Sequence, residues 1–224
     1  MWCIPPEQDA DFVCAMENVL AVYHRPYDAD HPVVCFDEKS KQLVAETKCP
    51  LPAQPGQVER CDYEYSRNGT ANLFVMVEPL RGWRQVNVTA RRTKADFALQ
   101  MKELVDVHYP QVSKITVVMD NLNTHKMSSL YQAFPAEEAR RLINKLEVVY
   151  TPKHGSWLNM AECELSVLEK QALGERVGDE AELRERVILY ITRRNTQTCR
   201  INWQFTTCDA RIKLHQLYPQ VQAG

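Results

Sequence analysis

Apolar, β-branched runs alternate with segments of helical periodicity along most of this 224-residue chain, and that alternation limits the fold more than any other feature. The runs are "VVCFDEKS" (33–40), "KITVVMDN" (114–121) and "EVVYTP" (147–152), while "TANLFVMVEPLRGWRQVNVTARR" (70–92) reads as a hairpin around Pro79 and Gly82. Before them, "DADFVCAMENVLAVYHR" (9–25) sets Phe12, Met16, Val19, Leu20 and Tyr23 on one helical stripe. Thr93 is a plausible N-cap for "KADFALQMKELVDVHY" (94–109), which Pro110 closes. Further helices are predicted over 126–134, 135–146, 157–173 (ended by Gly174) and 179–195. Residues 48–69, with three prolines and two glycines, read as an irregular surface excursion. Helix, strand, hairpin, helix, strand, helix, strand, helix, helix is the order of an α/β mixed sheet with helices on both faces.

The length suits one such domain with a sizeable core. A formal charge of −2 supplies no bulk attraction to nucleic acid, so any such partner has to be argued from a site. Eight cysteines, at 3, 14, 35, 49, 61, 163, 199 and 208, form no CxxC pair and no zinc-spaced ladder. The start, "MWCIPPEQDADFVCAMENVL", lacks a basic n-region and an uninterrupted apolar stretch, and nowhere does the chain approach the ~18 apolar residues of a membrane span. These features describe a reduced, cytoplasmic, bacterial-type chain with no membrane partner.

Two of the strand runs end in an acid, Asp37 and Asp120. The third leads through Pro152, Lys153, His154, Gly155 and Ser156 into a helix with Glu162 near its start. Alone, Glu162 is an ordinary first-turn carboxylate facing the positive end of a helix dipole. Ligand sites in open α/β sheets, however, lie beyond the carboxyl ends of the strands, where all three acids could meet. Like charges brought that close raise one another's pKa unless cations neutralise them, and oxygen-only donors select magnesium or manganese over zinc.

"VVCFDEKS", "VVMDNLNTH" and "YTPKHGSWLNMAECEL" resemble the three acidic motifs of the DDE transposases, most closely the bacterial insertion-sequence branch of the mariner superfamily. "DYEYSRNGTANLF", "RRTKADFA" and "WQFTTCDARIKL" are similar to the same branch, so the resemblance runs from about Trp2 to Pro219. It implies a ribonuclease-H-like mixed sheet, with Asp37, Asp120 and Glu162 as both catalytic and metal-binding residues. It further implies two Mg2+ (or Mn2+) ions, and DNA phosphodiester hydrolysis and strand transfer during transposition. The partners it implies are DNA, as transposon ends and target duplex, and a second copy of the chain in an active homodimer that is nucleoid-associated when bound. Glu38 and Glu164 are then neighbours rather than ligands: Glu164 lies about 200° around the helix from Glu162, and Glu38 points away from Asp37 across the strand.

Full-length members of that branch carry helix-turn-helix modules ahead of the catalytic domain, whereas here Met1 directly precedes "WCIPP", which resembles the junction into that domain. The expectation is one catalytic domain over 1–224, with an N-terminal helix and a C-terminal helical extension, and a helix-turn-helix module encoded upstream. Asn121, His125, Lys153, His154 and Ser156 are candidates to contact phosphate or orient ligands, with plain turn or cap roles open for each. Trp157 suits core packing better than base stacking. Arg91, Arg92, Arg193 and Arg194 are candidate DNA-backbone contacts or a solvated face. A ribonuclease-H-like nuclease that cuts without joining, and a decayed or repurposed DNA-binding protein, are the alternatives. A haloacid-dehalogenase-type phosphatase needs a second Asp where the chain has Lys39.

Overall fold

A computed structural model of the chain describes residues 7–48, 53–58 and 63–220. Strands β1 (Val33–Glu46), β2 (Tyr65–Glu78), β3 (Trp83–Thr89), β4 (Ile115–Met119) and β5 (Leu146–Tyr150) form one sheet in the order β3-β2-β1-β4-β5. β1, β2 and β3 pair antiparallel as a meander, while β4 runs parallel to β1 and β5 parallel to β4.

The helices are α1 (Ala10–Tyr23), α2 (Lys94–Glu103), α3 (Ser128–Ala133), α4 (Ala136–Lys145), α5 (Met160–Ala172), α6 (Glu180–Thr196) and α7 (Thr207–Lys213). Side chains alternate across a strand, so β1 sends Val34 and Phe36 to one face and Cys35 to the other. The first face packs against Phe97, Met101, Leu130 and Leu142 of α2, α3 and α4. On the second face, Phe12, Met16 and Leu20 of α1 and Ala210 of α7 cover Cys35, Val77 and Val118. Next to them Leu165 and Leu168 of α5 and Leu183 and Val187 of α6 cover Leu73, Val75 and Val86. Helices therefore cover both faces, as the alternation of the sequence predicts.

Thr93 caps α2 in a reciprocal capping box with Asp96, and α2 ends in a π-helical turn over Leu104–His108. Two differences from the sequence expectation concern strand length. β1 does not stop at Asp37 but continues to Glu46, because β2 pairs with it from Cys35↔Val77 to Glu46↔Tyr65 across one irregularity between Gln42 and Val44. For the same reason residues 65–69, expected within the irregular excursion, belong to β2; positions 49–52 and 59–62 of that excursion lie outside the described residues. Among the described residues no helix is long and apolar enough to cross a membrane.

A buried ionic network ties α5 and α6 to the sheet. Arg84 on β3 is fully buried, and its Nε lies 2.8 Å from Glu164 Oε1 on α5. Arg194 Nη2 donates to Glu164 Oε2 at 3.2 Å, and the Tyr190 hydroxyl donates to Oε1 at 2.6 Å. Arg84 also donates to the carbonyl oxygens of Gly82 and Cys199, at 3.0 and 2.5 Å. Gly82 has φ +75°, and a Cβ there would stand 2.7 Å from the Thr198 backbone, so only glycine permits the approach. Removing one partner of a buried ion pair leaves the other charge uncompensated. Arg84→Met is expected to lower unfolding free energy by about 3–5 kcal/mol, read as a reduced urea midpoint with an unchanged slope.

Candidate active site

The parallel register places three chain segments side by side. Cys35 of β1 lies opposite Val118 of β4, and Val118 opposite Val149 of β5. Two residues beyond each stand Asp37, Asp120 and Thr151. Asp37 sits where β1 parts from β4, on the face turned toward α5. Thr151 donates its N–H to the Met119 carbonyl at 2.9 Å, and the chain then turns. The Gly155 N–H closes that turn on the Pro152 carbonyl at 2.8 Å, and His154 takes a left-handed φ of 63°. A Cβ on Gly155 would come within 2.5 Å of Pro152 Cγ, which explains glycine at this point.

A 3-10 turn over Ser156–Leu158 delivers Asn159, the N-cap of α5. Its fully buried amide does two things: Oδ1 accepts from the Ala161 N–H at 3.1 Å, and Nδ2 donates to the Phe36 carbonyl at 2.8 Å with a longer 3.4 Å contact to Asp37 Oδ2. One side chain thus starts the helix and holds that start against β1. Glu162 follows in the first turn.

Asp37 is 6% exposed and accepts the Glu38 N–H at 2.8 Å. Burial first, then the charges of Glu162, Asp120 and Glu38, push its carboxyl up to about 8, against the pull of that N–H. Burial also raises Glu162; the Lys39 ammonium opposes the rise and Asp120 adds to it. Asp120 meets His125, whose Nδ1 lies 2.5 Å from Asp120 Oδ1, while Nε2 lies 2.5 Å from Glu38 Oε2. Burial alone would lower the imidazole, but its hydrogen bond to Asp120, its close contact with Glu38 and the charges of both outweigh that and raise it to about 9. Beside Glu162 opens a cleft of about 420 Å³ lined by Glu38, Lys39, Glu162, Leu165, Ser166, Glu169 and Lys170.

Carboxylates whose charges push up Asp37, and in the case of Asp120 also Glu162, make a donor set that a hard divalent cation would relieve. As the side chains stand, no group of three or more His, Cys, Asp or Glu among the described residues is close enough to hold a metal. Asp120 is turned to His125 instead.

The other residues singled out in the sequence divide clearly. Asn121, Lys153, His154, Ser156, Arg91 and Arg92 are exposed. Arg92 also lies 3.9 Å from Glu38. His125, expected to contact phosphate or to orient ligands, is 0% exposed and so does not reach DNA: it is sealed between the rings of Phe36 and Phe97 and touches the carboxylates of Asp120 and Glu38. Arg194 is committed to Glu164, and Arg193 donates to Gln171 at 2.8 Å. Trp157 packs into the core against Phe205. Sequence reasoning passed over Asn159, although an Asn just ahead of a helical run is an N-cap signal, and it set Glu38 aside as a bystander.

The family model of the DDE superfamily endonucleases matches residues 32–184, more than half of the chain and a span containing all three acids. The chain belongs to the DDE superfamily endonucleases. No curated protein matches this endonuclease chain in sequence. Its fold is similar to that of the Mos1 mariner paired end complex with Mn, with a TM-score of 0.60 at 16% identity over 88% of this chain and 60% of that one. The Mos1 transposase paired-end complex with left transposon end gives 0.57 at 16% identity, over 88% of this chain and 62% of that one. The catalytic domain of Mos1 mariner transposase gives 0.53 at 12% identity, over 88% of this chain and 96% of that one. The DDE endonuclease chain thus shares the ribonuclease-H-like fold of that catalytic domain and spans about 60% of the longer chains.

Stability should report the crowding of the acids. With its carboxyl raised from 3.8 to about 8, folded Asp37 keeps a proton that the unfolded chain has lost, so metal-free stability falls as pH rises between those values. His125 adds a fall between 6.5 and about 9, because its protonated form is the one the fold favours. Asp37→Asn is therefore expected to raise the metal-free Tm above pH 8 and to converge with the unsubstituted chain below about pH 4, measured by calorimetry across that range.

Proposed function

We propose that this chain is the catalytic domain of a transposase of the bacterial insertion-sequence branch of the mariner superfamily, cutting DNA phosphodiester bonds and joining the freed ends to a target. The observation that carries the reading is the convergence of Asp37, Asp120 and Glu162 at one edge of the sheet, inside the span matched by the endonuclease family. The wording of the three acidic motifs supports the branch. The Mos1 structures of similar fold are described as complexes with Mn and with Mg, which supports a divalent-metal chemistry for this chain.

Asp37, Asp120 and Glu162 would hold two Mg2+ or Mn2+ ions. Bound there, the ions supply an activated water or 3′-hydroxyl and stabilise the departing oxygen of the scissile phosphate. The chain's own residues do the rest. Asn159 keeps the start of α5, and with it Glu162, against the strand that carries Asp37. Lys39 sits in the cleft beside Glu162, and Lys170 lines the same cleft. Asn121, Lys153, His154 and Ser156 are exposed on segments that flank Asp120 and Glu162 in sequence, Arg91 and Arg92 are exposed just beyond β3, and all of them suit backbone contacts, which position DNA without reading it. End recognition is assigned to a helix-turn-helix module and the active state to a homodimer, both on the strength of the sequence resemblance.

The test uses a labelled duplex carrying an element end, with and without a pre-cut 3′ end, in Mg2+, Mn2+, Ca2+ or chelator. Mg2+ and Mn2+ are expected to support cleavage and Ca2+ to bind without efficient turnover. Asp37→Asn, Asp120→Asn and Glu162→Gln should each reduce cleavage by on the order of 10³-fold, about 4 kcal/mol of barrier, while the fold survives. Joining of the pre-cut end separates a transposase from a nuclease that only cuts. Chelator-resistant cleavage, or cleavage indifferent to all three substitutions, would contradict the proposal.

A further inference from the structure

We propose that Glu38 is a positioning residue that acts on Asp120 through His125, touching neither metal nor DNA itself. The inference rests on the active-site reading above and adds to it an assignment for a residue that borders the Glu162 cleft but whose buried carboxylate lies against His125. Asp37 faces α5, so Glu38, the next residue on the strand, faces α2 alongside Phe36. Its side chain is 3% exposed. Burying a carboxylate against aromatic rings is unfavourable unless it is paired. Its close partner is His125 Nε2 at 2.5 Å, with the Arg92 guanidinium more distant at 3.9 Å.

His125 is held on every side. Phe36 meets its ring edge-on at a centroid distance of 5.4 Å and Phe97 lies at 5.1 Å. Its own N–H donates to the Leu122 carbonyl at 3.0 Å, the Tyr150 hydroxyl donates to its carbonyl at 2.9 Å, and Ser129 Oγ donates to the neighbouring Thr124 carbonyl at 3.1 Å. The imidazole cannot swing away, and Glu38 on one nitrogen leaves the other aimed at Asp120 Oδ1. Oδ1 is thereby occupied and Oδ2 is the oxygen left to a cation. Outer partners that orient a metal-binding carboxylate in this way typically contribute about 10–100-fold to metal affinity.

The experiment titrates Mn2+ into metal-free protein, with affinity and stoichiometry from calorimetry and free Mn2+ from electron paramagnetic resonance. Glu38→Gln keeps the volume and removes the charge. It is expected to weaken Mn2+ binding about 10–100-fold with the number of ions unchanged, and cleavage should recover at saturating Mn2+. His125→Asn should weaken it comparably, and Glu38→Gln should add little in that background, because the link is already broken. Should Glu38→Gln not fold, Glu38→Asp, which keeps the charge but withdraws it by one methylene, is expected to weaken binding in the same direction. A lower stoichiometry with cleavage unrecovered at high Mn2+ would make Glu38 a ligand and overturn the inference. A lower Tm with unchanged Mn2+ affinity would make it packing alone and overturn it equally. If the unsubstituted chain bound no Mn2+, the active-site reading would fall and take this inference with it; normal binding that ignores both substitutions removes the inference alone.

Discussion

Parallel pairing of β1, β4 and β5 is the constraint on which the rest of the molecule depends. Antiparallel neighbours would send successive strand ends to opposite edges, whereas here Cys35, Val118 and Val149 share one rung, and beyond it on the same side β4 and β5 leave the sheet while β1 parts from β4 and stays paired with β2 alone. Two of the three segments carry their acids, Asp37 and Asp120, directly beyond that rung. The third has to turn back, and the Pro152–Gly155 turn, the 3-10 turn and Asn159 bring the first turn of α5, with Glu162, to the other two.

Such a site works against stability. Asp37 is buried beside other carboxylates, and the fold manages the conflict with a small number of neutral or cationic groups: the Glu38 N–H and Asn159 amide on Asp37, Lys39 near Glu162, and His125 between Asp120 and Glu38. None of them removes the repulsion, which remains available to draw in a cation. The contrast with Glu164 is instructive. Two residues from Glu162 on the same helix, it is neutralised by Arg84 and Arg194 and bonded to Tyr190, so it serves as an anchor and offers nothing to a ligand.

Much of this was legible in the sequence because its physics is local. Apolar runs and turn residues mark all five strands, Thr93 and Pro110 bracket α2, and Asp37 and Asp120 follow directly on two of those runs. The opposite aim of Glu38 and Asp37 follows from the two-residue period of a strand. What escaped the sequence depends on pairing between distant segments. The later half of β1 lies beyond the apolar run that the sequence marks, and its ladder with β2 makes it a strand. Nothing near "DNLNTH" reveals that His125 is enclosed by Phe36 and Phe97, which come from two other elements. Arg84, a cation in a β-rich run, is buried because Glu164 and the carbonyls of Gly82 and Cys199 receive it.

The central claim, that three separately delivered carboxylates form one cation site, is tested most directly by anomalous scattering from a crystal of the chain soaked in Mn2+. The account predicts manganese held by oxygens of Asp37, Asp120 and Glu162, with His125 still bonded to the other oxygen of Asp120. Manganese bound elsewhere, or seated at this edge of the sheet without contact to all three acids, would contradict it.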